Sequence, residues 1–255
     1  PASGKMCFVG DMTDVFGEWV PVGLLEELFA VFALRSDVIW QVLTKRADRM
    51  QRILTEQAPE AEHFWAMVEG SAQRRHQERT GKDPSLWHAM HAPLPNVWLG
   101  VSAEDQKNAD ERIPLLLKVP AAVRFVSYEP ALGPIDFRSW LPVTRQCDRM
   151  LDWILVGGES GPGARAFNIQ WARDMIAQCR AAGVACFTKQ LGAKPYLHFE
   201  QNVRQDSPGF KWTIQELEVE ESIRLKDRKG GTPAEWPEDL RVRGWPASRD
   251  GTDPD

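Results

Sequence analysis

Trp153-Ile154-Leu155-Val156-Gly157-Gly158-Glu159-Ser160-Gly161-Pro162-Gly163 decides the fold of this chain. An apolar run that gives way to a polar glycine loop is how a strand buried on both faces meets the loop at its C-terminal end. Upstream, the same form recurs in Cys7-Phe8-Val9-Gly10-Asp11, Val38-Ile39-Trp40-Gln41-Val42-Leu43-Thr44-Lys45-Arg46 and Val97-Trp98-Leu99-Gly100-Val101-Ser102-Ala103-Glu104. It recurs again in Val123-Arg124-Phe125-Val126-Ser127-Tyr128-Glu129 and, downstream, in Ala185-Cys186-Phe187-Thr188-Lys189-Gln190.

Helical periodicity fills the gaps. Leu24, Leu25, Leu28, Phe29 and Phe32 repeat at helix spacing after Pro21. Met50, Ile53 and Leu54 share a face, as do Ala109, Ile113, Leu116 and Leu117. Asn168 caps a helix that runs to Gly183. Strand alternating with helix is the pattern of a parallel βαβ array. The expected fold is therefore α/β, a partial β/α (TIM-like) barrel of about six parallel strands spanning residues 1–194. A helical insertion covers 58–95, including Leu86-Trp87-His88-Ala89-Met90-His91. Residues 195–255 read as a polar C-terminal appendage with a strand around 212–219 and a disordered end from Ala247. Six strands are too few for a closed barrel, so a further βα unit is expected before Pro1.

Composition is that of a soluble globular protein, 43% hydrophobic and 26% charged. No apolar run is long enough for a membrane helix, and Pro1 to Lys5 leads straight into a strand without a signal peptide, so a cytoplasmic protein is expected. A net charge of -5 disfavours a nucleic-acid binder that uses its whole surface but leaves room for a local basic groove. Arg74-Arg75-His76 with Arg79 and Lys82 is one basic patch, a solvated helix face or a contact for nucleic-acid backbone. Cys7, Cys147, Cys179 and Cys186 have no metal-binding spacing and read as thiols of a reducing compartment. His63, His76, His88, His91 and His198 fall in the insertion or the tail, which disfavours a histidine-ligated zinc barrel.

In α/β folds, chemistry gathers at the C-terminal strand ends. There the sequence places Asp11 and Asp14, then Thr44, Lys45 and Arg46, then Ser102, Glu104 and Asp105, then Ser127 and Glu129, then Glu159 and Ser160, then Lys189 and Gln190. Opposed charges in a pocket can position carboxylate, amine or phosphate groups; structural ion pairing is the alternative. The 157–163 loop is neither a Walker A nor a Rossmann sequence. Its glycines serve close approach of backbone amides to an anion or nucleotide, or a tight turn with positive φ.

Several of these motifs together resemble one family: Gly10-Asp11-Met12-Thr13-Asp14-Val15-Phe16, Gln41-Val42-Leu43-Thr44-Lys45-Arg46, Trp98-Leu99-Gly100-Val101-Ser102 and Arg124-Phe125-Val126-Ser127-Tyr128-Glu129-Pro130. To them belong the glycine loop through Ala164-Arg165, Lys189-Gln190-Leu191-Gly192 and Trp236-Pro237-Glu238-Asp239-Leu240-Arg241-Val242-Arg243. The chain resembles the phage gene-product thirty-seven/sixty-eight family, whose members look like radical S-adenosylmethionine barrels related to spore photoproduct lyase. The resemblance implies S-adenosylmethionine and a 4Fe–4S cluster as cofactors, and a nucleic acid or nucleotide substrate. The family's three cluster cysteines occupy an N-terminal segment that has no counterpart after Pro1, so the chain is expected to be a fragment or a form without the cluster. Lys45, Glu129 and Lys189 are the candidate catalytic residues. Asp11, Glu104, Gly157, Gly158, Glu159 and Ser160 are the candidates for cofactor binding, and no metal-ligating set is assigned. Two other readings stay open. One is a hydrolase or isomerase that binds Mg²⁺ or Mn²⁺ through Asp11, Glu104, Glu129 and Glu159; the other is a non-catalytic module for a phage or host protein partner.

Overall fold

The computed structural model describes residues 5–10, 13–55, 59–82, 93–143, 150–205 and 213–246. Asp11, Cys147, the 86–91 segment and the end from Ala247 lie outside them. Strands β1 (Met6–Val9), β2 (Ile39–Thr44), β3 (Val97–Ser102), β4 (Val123–Tyr128), β5 (Trp153–Gly157) and β7 (Ala185–Gln190) form one six-stranded sheet in that order. Every pair in it is parallel. Helices α1 (Val22–Leu34), α2 (Ala47–Leu54), α4 (Gln106–Leu116) and α5 (Ile169–Ala182) cross between successive strands, which makes an α/β half-barrel. The insertion supplies α3 (Pro59–Thr80).

Local chemistry sets the helix ends. Asp105 accepts a hydrogen bond from the Asn108 amide at 2.9 Å to start α4, and Asn168 accepts one from the Gln170 amide at 3.0 Å to start α5. Gly183 closes α5 in the left-handed region at φ 68°. Two-sided burial explains why β3 and β4 are mostly apolar, every residue of both being buried, Arg124, Ser102 and Ser127 included. One face, carrying Val42, Leu99, Val101, Val126 and Val156, packs under the helices. Phe29 of α1 meets Phe64 and Trp65 of α3 edge to face, at 5.4 and 5.9 Å, which seats the insertion on that outer layer. The basic patch of α3 serves this docking too, since Arg74 and Arg75 both pair with Glu27 of α1.

The inner, concave face is built from the alternate residues. Trp98, Val123, Phe125 and Trp153 form a second apolar cluster there, Trp98 and Phe125 each 5.9 Å from the Trp153 ring. Residues 242–244 lie antiparallel along the outer edge of β7: the Thr188 amide donates to the Val242 carbonyl and the Gly244 amide to the Cys186 carbonyl, both at 2.8 Å. That strip brings Trp245 onto Trp153 at 4.8 Å. Beyond the half-barrel, β6 (Phe167–Asn168), β8 (Pro195–Gln205) and β9 (Thr213–Ser222) form a small sheet, with β8 and β9 antiparallel. The strand expected around 212–219 is β9, and its partner β8 went unread in the sequence. Trp236 and Leu240 return to the main core, 2% and 0% exposed.

Candidate functional site

Side chains alternate across a strand, so the residues that continue β2, β3, β4 and β7 in steps of two share a face. Leu43 leads to Lys45, Ser102 to Glu104, Ser127 to Glu129 and Phe187 to Lys189. The register sets Ser102 opposite Ser127, and Leu155 opposite both Ser127 and Phe187. Lys45, Glu104, Glu129 and Lys189 therefore rise as one row on the concave side of the rim, with charges that read plus, minus, minus, plus. Gly157 belongs to the same row, and the space its missing side chain leaves is taken by Glu129 Oε1.

The row is paired in two halves. The Lys45 ammonium meets Glu104 Oε1, and the Arg112 guanidinium donates to Glu104 Oε2 at 3.1 Å and to the Ser102 carbonyl at 2.8 Å. Lys189 Nζ donates to Glu129 Oε2 at 2.9 Å. Glu104 is 9% exposed and Glu129 14%, whereas Lys45 and Lys189 are both 57% exposed. The carboxylates thus lie low in the wall and the ammonium groups stand at its mouth. Glu129 Oε1 is buried and has no hydrogen-bond partner among the described residues. It points at Gly157, where any Cβ would lie 2.7 Å away. Asp14 fixes the neighbouring strand end: it accepts from the Thr44 hydroxyl at 2.6 Å and from the Lys45 amide at 2.8 Å. The buried Arg49 holds the adjoining loop through the Phe16, Gly17 and Val20 carbonyls.

The glycine loop does two different things. Gly158 packs against the next strand end, where an added Cβ would sit 2.4 Å from the Leu191 carbonyl oxygen. Its amide donates to the Gln190 carbonyl, and the Gln190 side chain donates back to the Gly158 carbonyl, both at 3.0 Å. Glu159 turns aside to Arg165 of its own loop, which donates from Nε and from its amide at 2.9 Å. That contact holds the Glu159 carboxyl down at about 2. Ser160 is exposed and lines a separate cleft with Gly192, Ala193 and residues 227–229.

Of the residues singled out in the sequence, the structure brings together Lys45, Glu104, Glu129, Gly157 and Lys189. Gly158 packs instead on Leu191, Glu159 pairs with Arg165 and Ser160 lines the separate cleft, and Asp11 is outside the described residues. Arg112 was missed; its signal is its place two turns into the helix that follows Glu104. Among the described residues no three His, Cys, Asp or Glu side chains gather as a metal site. A divalent cation at Glu104 or Glu129 would have to displace the cations already facing them.

A family model described as a protein of unknown function, DUF5131, matches residues 2–236. No curated protein and no solved structure matches the chain.

Proposed function

Because the chain belongs to the DUF5131 family, whose function is unknown, we propose an activity from its own rim: an enzyme of radical S-adenosylmethionine type that acts on a nucleic acid or nucleotide. The observation that carries this reading is the buried, unpartnered Glu129 Oε1, set in a row between the ammonium groups of Lys45 and Lys189. S-adenosylmethionine carries an ammonium and a carboxylate on one carbon, beside a nucleoside. Turned to the concave face, the Glu129 carboxylate is an acceptor for that ammonium, and Lys189 or Lys45 a counter-charge for the cofactor's carboxylate. Leu155 and Phe187, two residues below the rim on the same face, offer apolar surface to the nucleoside. When bound, the cofactor supplies its activated carbon–sulfur bonds; the chain's own residues bind and orient it.

A 4Fe–4S cluster does not fit the described residues. Cys179 and Cys186 are buried in the outer core, and Cys7 lies in β1 on the helix-covered face. Radical chemistry would therefore need cluster ligands that the described residues do not supply.

Calorimetric titration with S-adenosylmethionine tests the reading. Wild type should bind, Glu129→Gln should weaken binding by about tenfold or more through loss of a charged acceptor, and Lys189→Met should weaken it similarly. The radical step is tested by anaerobic reconstitution of the natural gene product, with iron analysis and an assay for 5′-deoxyadenosine. Binding that ignores both substitutions overturns the site; no iron and no product overturns the chemistry.

A further inference from the structure

Three loops from distant parts of the chain stack backbone on backbone, with a glycine at each contact. A Cβ on Gly158 would lie 2.4 Å from the Leu191 oxygen, one on Gly192 2.6 Å from the Glu159 oxygen, and one on Gly230 2.4 Å from the Gly192 oxygen. Hydrogen bonds lock the stack: the Ala193 amide donates to the Glu159 carbonyl at 2.8 Å, and the Leu191 amide to the Gly230 carbonyl at 2.9 Å. The buried Trp236 also donates to the Gly230 carbonyl, at 3.0 Å. Where the loops diverge they leave a cleft of about 550 Å³, with walls from 160–162, from 192, 193 and 195, and from 227–229, and with Ile223 and Leu225 on its surface. Because all three walls spring from one rigid stack, the cleft is preformed.

Its lining carries two cations, Arg228 and Lys229, against the single carboxylate of Asp227. Asp227 is used up inside its own turn: it accepts from the Lys229 amide at 2.9 Å, the Gly231 amide at 2.8 Å and the Thr232 hydroxyl at 3.1 Å. Those amides hold its carboxyl below the usual range. Arg228 and Lys229 are exposed at the cleft and have no ion-pair partner among the described residues. Two free cations, the Ser160 hydroxyl and an apolar wall with Pro162 and Pro195 suit a ligand that joins an anion to an apolar body.

We propose that this cleft is a phosphate-binding site for a nucleotide unit, free or within a strand, next to the rim. Arg228 and Lys229 take the phosphate, and Ile223, Leu225 and Pro162 take the sugar and base. Ser160 is three residues from Gly157, so cleft and rim are at most roughly 10 Å apart along the loop. The cleft stands on its own geometry; that its ligand is a nucleotide rests on the function proposed above.

Calorimetric titration with AMP, adenosine and a short oligodeoxyadenylate strand tests it. AMP or the strand should bind about tenfold or more tightly than adenosine, and Arg228→Ala/Lys229→Ala should erase that preference. AMP binding marks a free nucleotide as the ligand; binding of the strand alone marks nucleic acid. If neither phosphate ligand binds better than adenosine, or if the double variant keeps the preference, the proposal falls. Binding of S-adenosylmethionine should be unchanged in the double variant and weakened about tenfold or more in Glu129→Gln, so failure of the cleft and failure of the rim are read separately. Both replaced side chains are exposed, and an unchanged melting temperature confirms that the variant is folded.

Discussion

Replacing Gly192 by alanine measures how much of the site's framework depends on the glycine stack, with Gly183→Ala as its internal reference. Both glycines sit in the left-handed region, at φ 75° and 68°, so both substitutions carry a backbone cost of about 1–2 kcal/mol. Their surroundings differ. A Cβ at Gly183 meets nothing within 4 Å, whereas at Gly192 it meets the Glu159 oxygen at 2.6 Å, the Gly158 carbonyl carbon at 2.7 Å and the Glu159 nitrogen at 2.8 Å. All three are backbone atoms that cannot rotate aside, so overpacking adds about 1–3 kcal/mol. The expected losses are thus about 1–2 kcal/mol for Gly183→Ala and about 2–5 kcal/mol for Gly192→Ala. Urea unfolding followed by the fluorescence of the 11 tryptophans reads this as a lower midpoint at unchanged slope. Gly192→Ala should also weaken ligand binding at the cleft, which Gly183→Ala should not. Equal destabilisation by the two variants would refute the stack as a source of rigidity.

Lys189→Met leaves the largely buried Glu129 carboxylate without its cation and should cost about 1–3 kcal/mol; the double variant with Glu129→Gln should recover part of it. A double-mutant cycle that finds no coupling would make the pair an ordinary exposed one. Trp236→Ala removes a fully packed indole and the donor to the Gly230 carbonyl, and thermal or urea unfolding should show a loss of about 3–5 kcal/mol. For Glu159, the Arg165 contact lowers the carboxyl from 4.5 to about 2. A lowered folded-state value means the contact's contribution is complete above about 4.5 and is lost as pH falls towards 2. NMR titration should find Glu159 protonating near pH 2 in wild type and close to 4.5 in Arg165→Ala; an unchanged value in the variant would exclude Arg165 as the cause.

The sheet was legible because strands such as β3 and β4 are covered on both faces and so are mostly apolar. β8 and β9 form a hairpin outside that cover; β8 mixes Tyr196, Leu197 and Phe199 with polar residues and gave no clear period. The rim was legible as a set of strand ends, and counting in twos from Leu43, Ser102, Ser127 and Phe187 assigns Lys45, Glu104, Glu129 and Lys189 to one face. Glu159 pairs with Arg165 rather than with a lysine of that row, a contact that depends on the loop path through Gly161 and Gly163, at φ 103° and 79°. That path delivers Arg165 to it. The cleft was illegible for a plainer reason: Arg228 and Lys229 meet the glycine loop only through tertiary contact, and nothing local in Lys226-Asp227-Arg228-Lys229-Gly230-Gly231 announces it.

The two borders of the main sheet differ in kind. At β7 the hydrogen bonds of residues 242–244 occupy the border, and Trp153 Nε1 donates to the Gly244 carbonyl at 2.9 Å. At β1 no described strand lies beyond Met6–Val9, and Phe8 is 46% exposed. Growth of this architecture is therefore polar. A further strand, whether from the same polypeptide or another, can join in parallel only beside β1, while the β7 border is sealed against addition. For anyone building on this scaffold, a fusion placed near β1 competes with whatever strand that border accepts, and one placed after residue 246 leaves it free.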